Sequence, residues 1–162
     1  MKQKHNFPPL FDEASQILIL GSFPSVKSRE TAFFYGHPQN RFWRIMSELL
    51  DDALPQSIEE KKALLLKNHI ALWDVIAECE IEGSADSSIT NVKANDILPI
   101  INYSCIKQIF VNGSTAYKLY NKHIFPQTGL KAIALPSTSP ANAAWTVEKL
   151  KKEWKIILQF LD

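Results

Sequence analysis

Apolar runs and apolar periodicities alternate along this chain. Gln16-Ile17-Leu18-Ile19-Leu20 is a continuous apolar run closing on Gly21, the pattern of a strand buried on both faces. Residues 21–39 mix glycine, proline, serine and aromatics without a period and read as a long functional loop. After Asn40, the residues Phe42, Trp43, Ile45, Met46, Leu49 and Leu50 recur at spacings of three and four, which predicts an amphipathic helix. A second helix is predicted from Ser57 to Lys67, with Ser57 as its cap, Glu59 and Glu60 in its first turn and Lys67 in its last. Ile70 to Ile76 reads as a strand running into a turn, Gly83 to Ser88 as a small-residue loop, and Asp96 to Tyr103 as a helix despite Pro99. Gln108 to Val111 reads as a strand ending in Asn112-Gly113-Ser114, with a helix following through Asn121. Lys131 to Leu135 is a further strand, ending in Pro136-Ser137-Thr138-Ser139-Pro140, and a last helix is predicted over about 141–160. Residues 1–15, with Pro8-Pro9, read as an irregular arm.

Strands alternating with helices predict an α/β fold. The expected architecture is a three-layer α/β/α domain around a central, mostly parallel sheet of four to five strands. No repeat, low-complexity tract or long linker divides the chain, so residues 1–162 are read as one domain. Ligands of such sheets bind beyond the carboxyl ends of the strands. Three predicted strands end in polar, small-residue loops: Gly21 to Ser25, Asn112 to Ser114 and Pro136 to Ser139. That rim is the expected site.

Composition adds exclusions. The chain has 162 residues, 46% hydrophobic and 22% charged, an ordinary globular balance that excludes a disordered or collagen-like chain. No apolar run approaches the ~20 residues of a membrane-spanning helix, and no apolar signal core follows the basic start Met1-Lys2-Gln3-Lys4. Cys79 and Cys105 make no CxxC, exclude a four-cysteine metal site within one chain, and are expected to be two buried thiols. Residues 1–50 carry a net +2, residues 51–100 a net −6 and residues 101–162 a net +5. Two positive ends flank an acidic middle; were the ends to converge, one face could meet a polyanion, and the plainer account is ordinary surface scatter.

The rim's chemistry is narrowed by what is missing. There is no G-x-G-x-x-G, no P-loop and no G-x-S-x-G elbow. His5, His37, His69 and His123 show no metal spacing and read singly as surface or packing residues. The rim is poor in carboxylates, against a carboxylate-pair glycosidase. What remains is amide, hydroxyl, histidine and aromatic chemistry: the faces of Phe33, Phe34 and Tyr35, the Asn40 amide, and the hydroxyls of Ser137, Thr138 and Ser139. Helix starts at Gly113 and Thr138 suit phosphate. The combination suits an extruded nucleobase. Each feature also has a plain structural reading: Asn40 as a helix N-cap, the aromatic run as core, and the loop from Pro136 to Pro140 as a turn and cap.

At these residues the chain resembles a known family. Gly21-Ser22-Phe23-Pro24-Ser25 followed by Phe34-Tyr35-Gly36-His37-Pro38-Gln39-Asn40-Arg41-Phe42-Trp43 is similar to motif 1 and its extension in the uracil-DNA glycosylase superfamily. The interval from the first Gly to the His matches the mismatch-specific branch. Leu135-Pro136-Ser137-Thr138-Ser139-Pro140-Ala141-Asn142 is similar to motif 2, so the likeness spans nearly the whole chain. Phe23 stands where motif 1 usually carries a catalytic Asn or Asp, and Leu135 where motif 2 usually carries His or Asn. With Leu72-Trp73-Asp74-Val75 and the run from Gly83 to Ile89, the pattern is similar to that of the hypoxanthine-DNA (deoxyinosine) glycosylase branch.

The resemblance implies a monofunctional DNA-repair glycosylase that hydrolyses the N-glycosidic bond of a flipped, deaminated base, hypoxanthine first. Asn40 is the implied water-holding catalytic residue, with His37 beside it in a catalytic or structural role. Ser22, Phe23, Tyr35 and Asn112 are implied to bind the base, Tyr35 by stacking. Ser25, Ser28, Gly113, Pro136, Ser137, Thr138 and Ser139 are implied to grip phosphates and the minor groove. Asp74 and Asp86 are read as touching the base edge or capping turns, Arg41 and Lys27 as phosphate contacts, and Lys149, Lys151, Lys152 and Lys155 as a solvated helix face. Damaged DNA is the implied partner, with no cofactor, no metal and no membrane; the expected state is a monomer wherever the DNA lies, in cytoplasm, nucleoid or nucleus. The alternatives kept open are a uracil-specific enzyme of the same fold, a non-catalytic nucleic-acid-binding module, and a hydrolase of free nucleosides.

Overall fold

The computed structural model describes residues 2–162; Met1 lies outside the described residues. Four strands form a parallel sheet in the order β3-β2-β6-β7: β2 (Ile17–Gly21), β3 (Ile70–Asp74), β6 (Gln108–Asn112) and β7 (Ala132–Leu135). β2 lies centrally, with Ile17 in register with Ile70 on one side and Gln108 on the other. All five of its residues are buried, the reason its sequence runs apolar without alternation.

Successive residues of β2 enter opposite cores. Ile17 and Ile19 pack with Phe110, Met46, Leu65 and Trp154 on one face. Leu18 and Leu20 pack with Val111, Ile100, Ala116 and Tyr120 on the other. The first face is covered by α2 (Phe42–Leu49), α3 (Ile58–Lys67) and α7 (Val147–Trp154), the second by α4 (Leu98–Tyr103) and α5 (Ser114–His123). The three-layer α/β/α expectation therefore holds. Ser57 caps α3 as its sequence indicates, its hydroxyl accepting the Glu60 N–H at 3.1 Å.

Four expectations are corrected. The N-terminal arm contains β1 (Lys2–Lys4), which pairs antiparallel with β4 (Ile76–Glu80); β4 in turn pairs with β5 (Thr90–Ala94), giving a second, three-stranded sheet. These short polar strands gain order from pairing, which leaves little local apolar signal. The loop over 21–39 contains a short helix, α1 (Val26–Thr31), capped by Ser25. The last helix begins only at Val147: Thr146 accepts the Lys149 N–H as the true N-cap, and Asn142 and Trp145 are spent in turns before it. After α7, residues 155–160 tighten into a 3₁₀ turn. Cys79 is buried as expected, whereas Cys105 is exposed. A short α6 (Phe125–Thr128) precedes β7.

The parallel arrangement places the last residues of all four strands on one rim. These are Asp74, Gly21, Asn112 and Leu135, with Gly21 in register with Asp74 and Asn112 with Leu135. The sequence reading foresaw three of those ends. The fourth, Asp74, brings a carboxylate.

Candidate active site

A cavity of about 700 Å³ opens at this rim, within the range usual for small-ligand sites. Its walls come from the loop after β2, the aromatic segment before α2, the loop after β4 and the loop after β7. Of the residues read from the sequence as catalytic, base-binding or gripping the backbone, all but Gly113 line it; the two proposed phosphate cations, Lys27 and Arg41, and the ring of Phe33 do not.

The loop after β7 is held from two sides. Asn112, at the end of β6, donates through Nδ2 to Thr138 Oγ1 at 3.0 Å and accepts the Thr138 N–H through Oδ1 at 3.0 Å. Arg41, just before α2, reaches across the site with its guanidinium. It donates to the carbonyls of Thr138 (3.3 Å), Ser139 (2.7 Å), Asn142 (3.1 Å) and Trp145. The indole of Trp154 adds a bond to the Pro136 carbonyl at 2.9 Å. Thr138 is fully buried and anchors this loop, while Ser137, Ser139 and Pro136 stand on the cavity wall. Arg41, read from the sequence as a phosphate contact, gives four of its five N–H donors to carbonyls of this loop. Gly113 adopts φ +100°, donates its N–H to the Leu135 carbonyl at 2.8 Å, and stands back from the cavity, where Ser114 takes its place. A Cβ on Gly113 would come within 3.2 Å of the Ser137 Cβ, so the glycine lets β6 and the β7 loop close together.

The aromatic segment divides by depth. Phe33 and Phe34 are core residues, with Phe33 stacked on Trp43 and the Trp43 indole donating to the Phe34 carbonyl at 3.1 Å. Tyr35, at φ +52°, turns back toward the cavity. One face of its ring lies against Phe42, with centroids 4.2 Å apart and planes at 23°. Its hydroxyl is buried without a regular hydrogen bond. Burial first, and then the charge of Asp74, push the phenol's pKa far up, against a smaller opposing pull from the nearby Asn112 amide. The phenol stays neutral at any physiological pH.

Asn40 Oδ1 accepts the Phe42 N–H at 2.9 Å and so caps the first N–H of α2 from one position ahead of the N-cap residue, Arg41, which makes no side-chain cap bond, while Asn40 also lines the cavity. Both readings hold at once, because a cap spends one lone pair and leaves Nδ2 and the second lone pair. His37 Nδ1 accepts the Gln39 N–H at 3.0 Å. A backbone N–H can only donate, so neutral His37 carries its proton on Nε2. Ser28 is buried and organises the loop: its Oγ accepts from Gly36 N at 2.8 Å and from Ser25 Oγ at 3.1 Å. Phe23 lies in the second core and also lines the cavity, and Arg29 sits 5.3 Å over its ring.

The cavity also holds two carboxylates, which corrects the reading of a carboxylate-poor rim. Asp74 Oδ2 receives His5 Nε2 at 2.8 Å, and both side chains are about 95% buried, 4% and 5% exposed. Asp86 lies on a 3₁₀ turn over Asp86–Ser88, where its Oδ1 accepts the Ser22 hydroxyl at 3.1 Å. The residue as a whole is exposed, but desolvation of its carboxyl at the cavity wall, then the neighbouring Asp74, hold its pKa above the ordinary carboxylate range, with the Ser22 hydroxyl pulling the other way. Its loop is fastened by Ser84 Oγ, which accepts the Val26 N–H at 2.9 Å, and by Arg29, which donates to the Gly83 carbonyl at 2.7 Å. Trp145, to which no spacing or motif pointed, also lines the wall, together with Ser114 of the expected rim and Asn142 of the motif 2 likeness. No lysine is among the lining residues, and among the described residues no group of three or more His, Cys, Asp or Glu is placed to hold a metal. No helix among the described residues is long and apolar enough to cross a membrane.

Comparison with known proteins gives a consistent picture. The model of the Uracil DNA glycosylase superfamily matches residues 8–161. A hypoxanthine DNA glycosylase of Methanosarcina acetivorans is 34% identical over 163 residues, covering 96% of this chain and 98% of the relative. A hypoxanthine DNA glycosylase of Methanosarcina barkeri is 33% identical over 155 residues, covering 94% and 96%. The solution NMR structure of a provisionally assigned uracil DNA glycosylase from M. acetivorans superposes with a TM-score of 0.82 at 33% identity, over 97% of this chain and 96% of that one.

Proposed function

Starting from a chain that belongs to the uracil DNA glycosylase superfamily, we propose that this protein excises a deaminated base, hypoxanthine foremost, from DNA by hydrolysing its N-glycosidic bond. The observation that carries the reading is convergence: Tyr35, His37, Asn40, Ser22 and the β7 loop, far apart in sequence, line one cavity at the sheet's carboxyl rim. The two relatives named hypoxanthine DNA glycosylases, alike over nearly the full length, support the base preference. A volume of about 700 Å³ admits a purine nucleotide.

Each residue then has a physical task. Ser25, Ser137 and Ser139 grip backbone phosphates while the target nucleotide leaves the stack, which costs least for a mispaired base. Tyr35, backed by Phe42, presents its other face for stacking. As the glycosidic bond lengthens, positive charge grows on the sugar and negative charge on the departing base. The backbone N–H groups at Ser22 and Phe23, and His37 through Nε2, are the donors assigned to that negative charge. Asn40 holds the water that attacks C1′ through the half of its amide that the cap leaves over. With no lysine on the wall there is no amine for a Schiff base, so the product is an intact abasic strand. The enzyme acts as a monomer wherever its DNA lies.

The test uses labelled duplexes carrying one hypoxanthine, uracil, xanthine or ethenoadenine, incubated with the protein in chelator and scored for alkali-labile breaks. Cleavage at hypoxanthine well above uracil is expected. Cleavage only at uracil moves the specificity and keeps the chemistry. No cleavage by a folded protein that still binds DNA leaves a binding module; release of base from free mononucleosides alone makes it a nucleoside hydrolase.

A further inference from the structure

A departing base takes up negative charge as its bond to C1′ lengthens, and two carboxylates, Asp74 and Asp86, line the cavity where this happens. No lysine or arginine is among the lining residues to offset them. An ionised carboxylate beside the base opposes its departure by repulsion. A protonated one is a donor instead.

The two carboxyl groups are held differently. Asp74 closes β3, 4% exposed, and its Oδ2 takes the His5 Nε2 donor at 2.8 Å. Asp86 rides on the 3₁₀ turn over Asp86–Ser88, where Oδ1 accepts the Ser22 hydroxyl at 3.1 Å and Oδ2 makes no hydrogen bond among the described residues. Ser22 ties this carboxyl to the chemistry. Its backbone N–H is one of the donors assigned to the departing base, so Asp86 stands one hydrogen bond from the segment that receives the charge. The turn is pinned in that place. Ser88 donates to the Ala85 carbonyl through its N–H at 2.9 Å and through its hydroxyl at 2.6 Å. Ser84 Oγ accepts the Val26 N–H at 2.9 Å, and Arg29 donates to the Gly83 carbonyl at 2.7 Å.

We infer that Asp86 protonates hypoxanthine as it leaves the sugar. This rests on the glycosylase reading and deepens it. As the C1′–N9 bond breaks, its electron pair passes into the purine. The proton on Asp86 Oδ2 passes to N7, the other nitrogen of the same five-membered ring. One O–H bond breaks, one N–H bond forms, and the base departs neutral. Water adds its oxygen to C1′ and gives up a proton that restores Asp86, so the sum is hydrolysis with no further reactant. Asn40 serves the attacking side of the bond and Asp86 the leaving side.

The surroundings favour the protonated acid. Desolvation of the carboxyl first, and the charge of Asp74 second, hold Asp86 above the ordinary carboxylate range, against the pull of the Ser22 hydroxyl. Asp74 reaches it from β3, with His5 behind. Cys79 of β4 is a thiol close enough to feel the Asp86 charge. Arg29 of α1 is committed to the Gly83 carbonyl. Glu82 precedes Asp86 on its own loop, and His37 lines the same cavity.

The test is single-turnover release of hypoxanthine from a duplex, from about pH 5 to about pH 9, by the parent and by Asp86→Asn. The amide keeps an oxygen for the Ser22 hydroxyl and an NH₂ that can donate, but it has no proton to give up. The parent's rate should fall by about tenfold per pH unit once Asp86 has ionised. Asp86→Asn should be about 100-fold slower at about pH 5 and level across the range, so the two rates draw together as pH rises. Melting curves establish that the variant is folded; should it not be, Asp86→Ser is read in the same way. A variant within about threefold of the parent at about pH 5 overturns the inference. So does a parent rate that is level with pH, and so does a falling limb that survives in the variant, which would belong to His37. A parent that releases uracil alone leaves no N7 to protonate and overturns it as well. A parent that releases no base at all overturns the glycosylase reading itself, and the inference falls with it.

Discussion

Asn112 and Thr138 hold each other through two hydrogen bonds of 3.0 Å across 26 residues of sequence, amide to hydroxyl and backbone N–H to amide. Both residues are buried, so neither bond competes with water. The pairing welds the end of β6 to the loop after β7, and that loop forms one side of the cavity. Asn112→Ala leaves the Thr138 N–H and hydroxyl unpaired, a loss of about 1–3 kcal/mol. Chemical denaturation should show a lower midpoint with an unchanged slope, and base release should fall more in kcat/KM than in kcat, since the loop that grips the nucleotide loosens. An unchanged midpoint would mean that Arg41 and Trp154 hold the loop without this pair.

Arg41 carries the same loop from the opposite side. A guanidinium offers a planar fork of donors, and four carbonyls take them. Lysine has one ammonium at the end of a flexible stem and can satisfy one or two of them. Arg41→Lys should therefore cost about 3 kcal/mol of stability despite conserving charge. DNA affinity should fall as the loop loosens, while the slope of log affinity against log salt stays as in the parent. A slope smaller by about one would show that Arg41 neutralises a phosphate after all.

These two clamps mark where sequence reading stops. The four parallel strands were legible because a strand buried on both faces needs a continuous apolar run, and Ile17 to Leu20 is such a run. The rim followed from topology, and the site residues beyond it from the motif resemblance. The second sheet was not legible: Lys2–Lys4 and Thr90–Ala94 are polar, and they become strands only by pairing with Ile76–Glu80. Arg41 looked like a phosphate ligand because nothing local tells an arginine bound to carbonyls from a free one; its partners lie about a hundred positions away. The His5–Asp74 pair, 69 positions apart, was hidden for the same reason.

Asn40 serves two ends, and a pair of substitutions separates them. Asn40→Ala removes both the cap on α2 and the amide; it should cost about 1 kcal/mol of stability and slow base release by about 10²–10³-fold. Asn40→Ser keeps an oxygen for the Phe42 N–H and should melt within a degree or two of the parent, because serine caps about as well as asparagine. Its rate should stay as low as that of Asn40→Ala. A serine variant that is as active as the parent would reduce Asn40 to a cap.

Asp86 gives a pH signature. The folded protein holds its pKa above the ordinary 3.8, through burial first and the Asp74 charge second. The folded state therefore binds that proton more tightly than the unfolded chain does. Asp86 contributes its full stability only below the unfolded pKa, and the contribution is lost as pH climbs through the raised folded value. At neutral pH the ionised carboxylate is a net cost. Asp86→Asn keeps an oxygen for the Ser22 hydroxyl and removes the charge, so it should melt higher than the parent at pH 7. The gap should narrow as pH falls through the raised folded value, where the parent's Asp86 takes up its proton, and titrating groups that do not interact with Asp86 cancel in the difference between the two proteins. Melting points measured from pH 4 to pH 8 decide it. A gap that stays constant across that range would place the Asp86 carboxylate in water, and a gap of opposite sign would mean that its charge is matched by a cation and not repelled by Asp74.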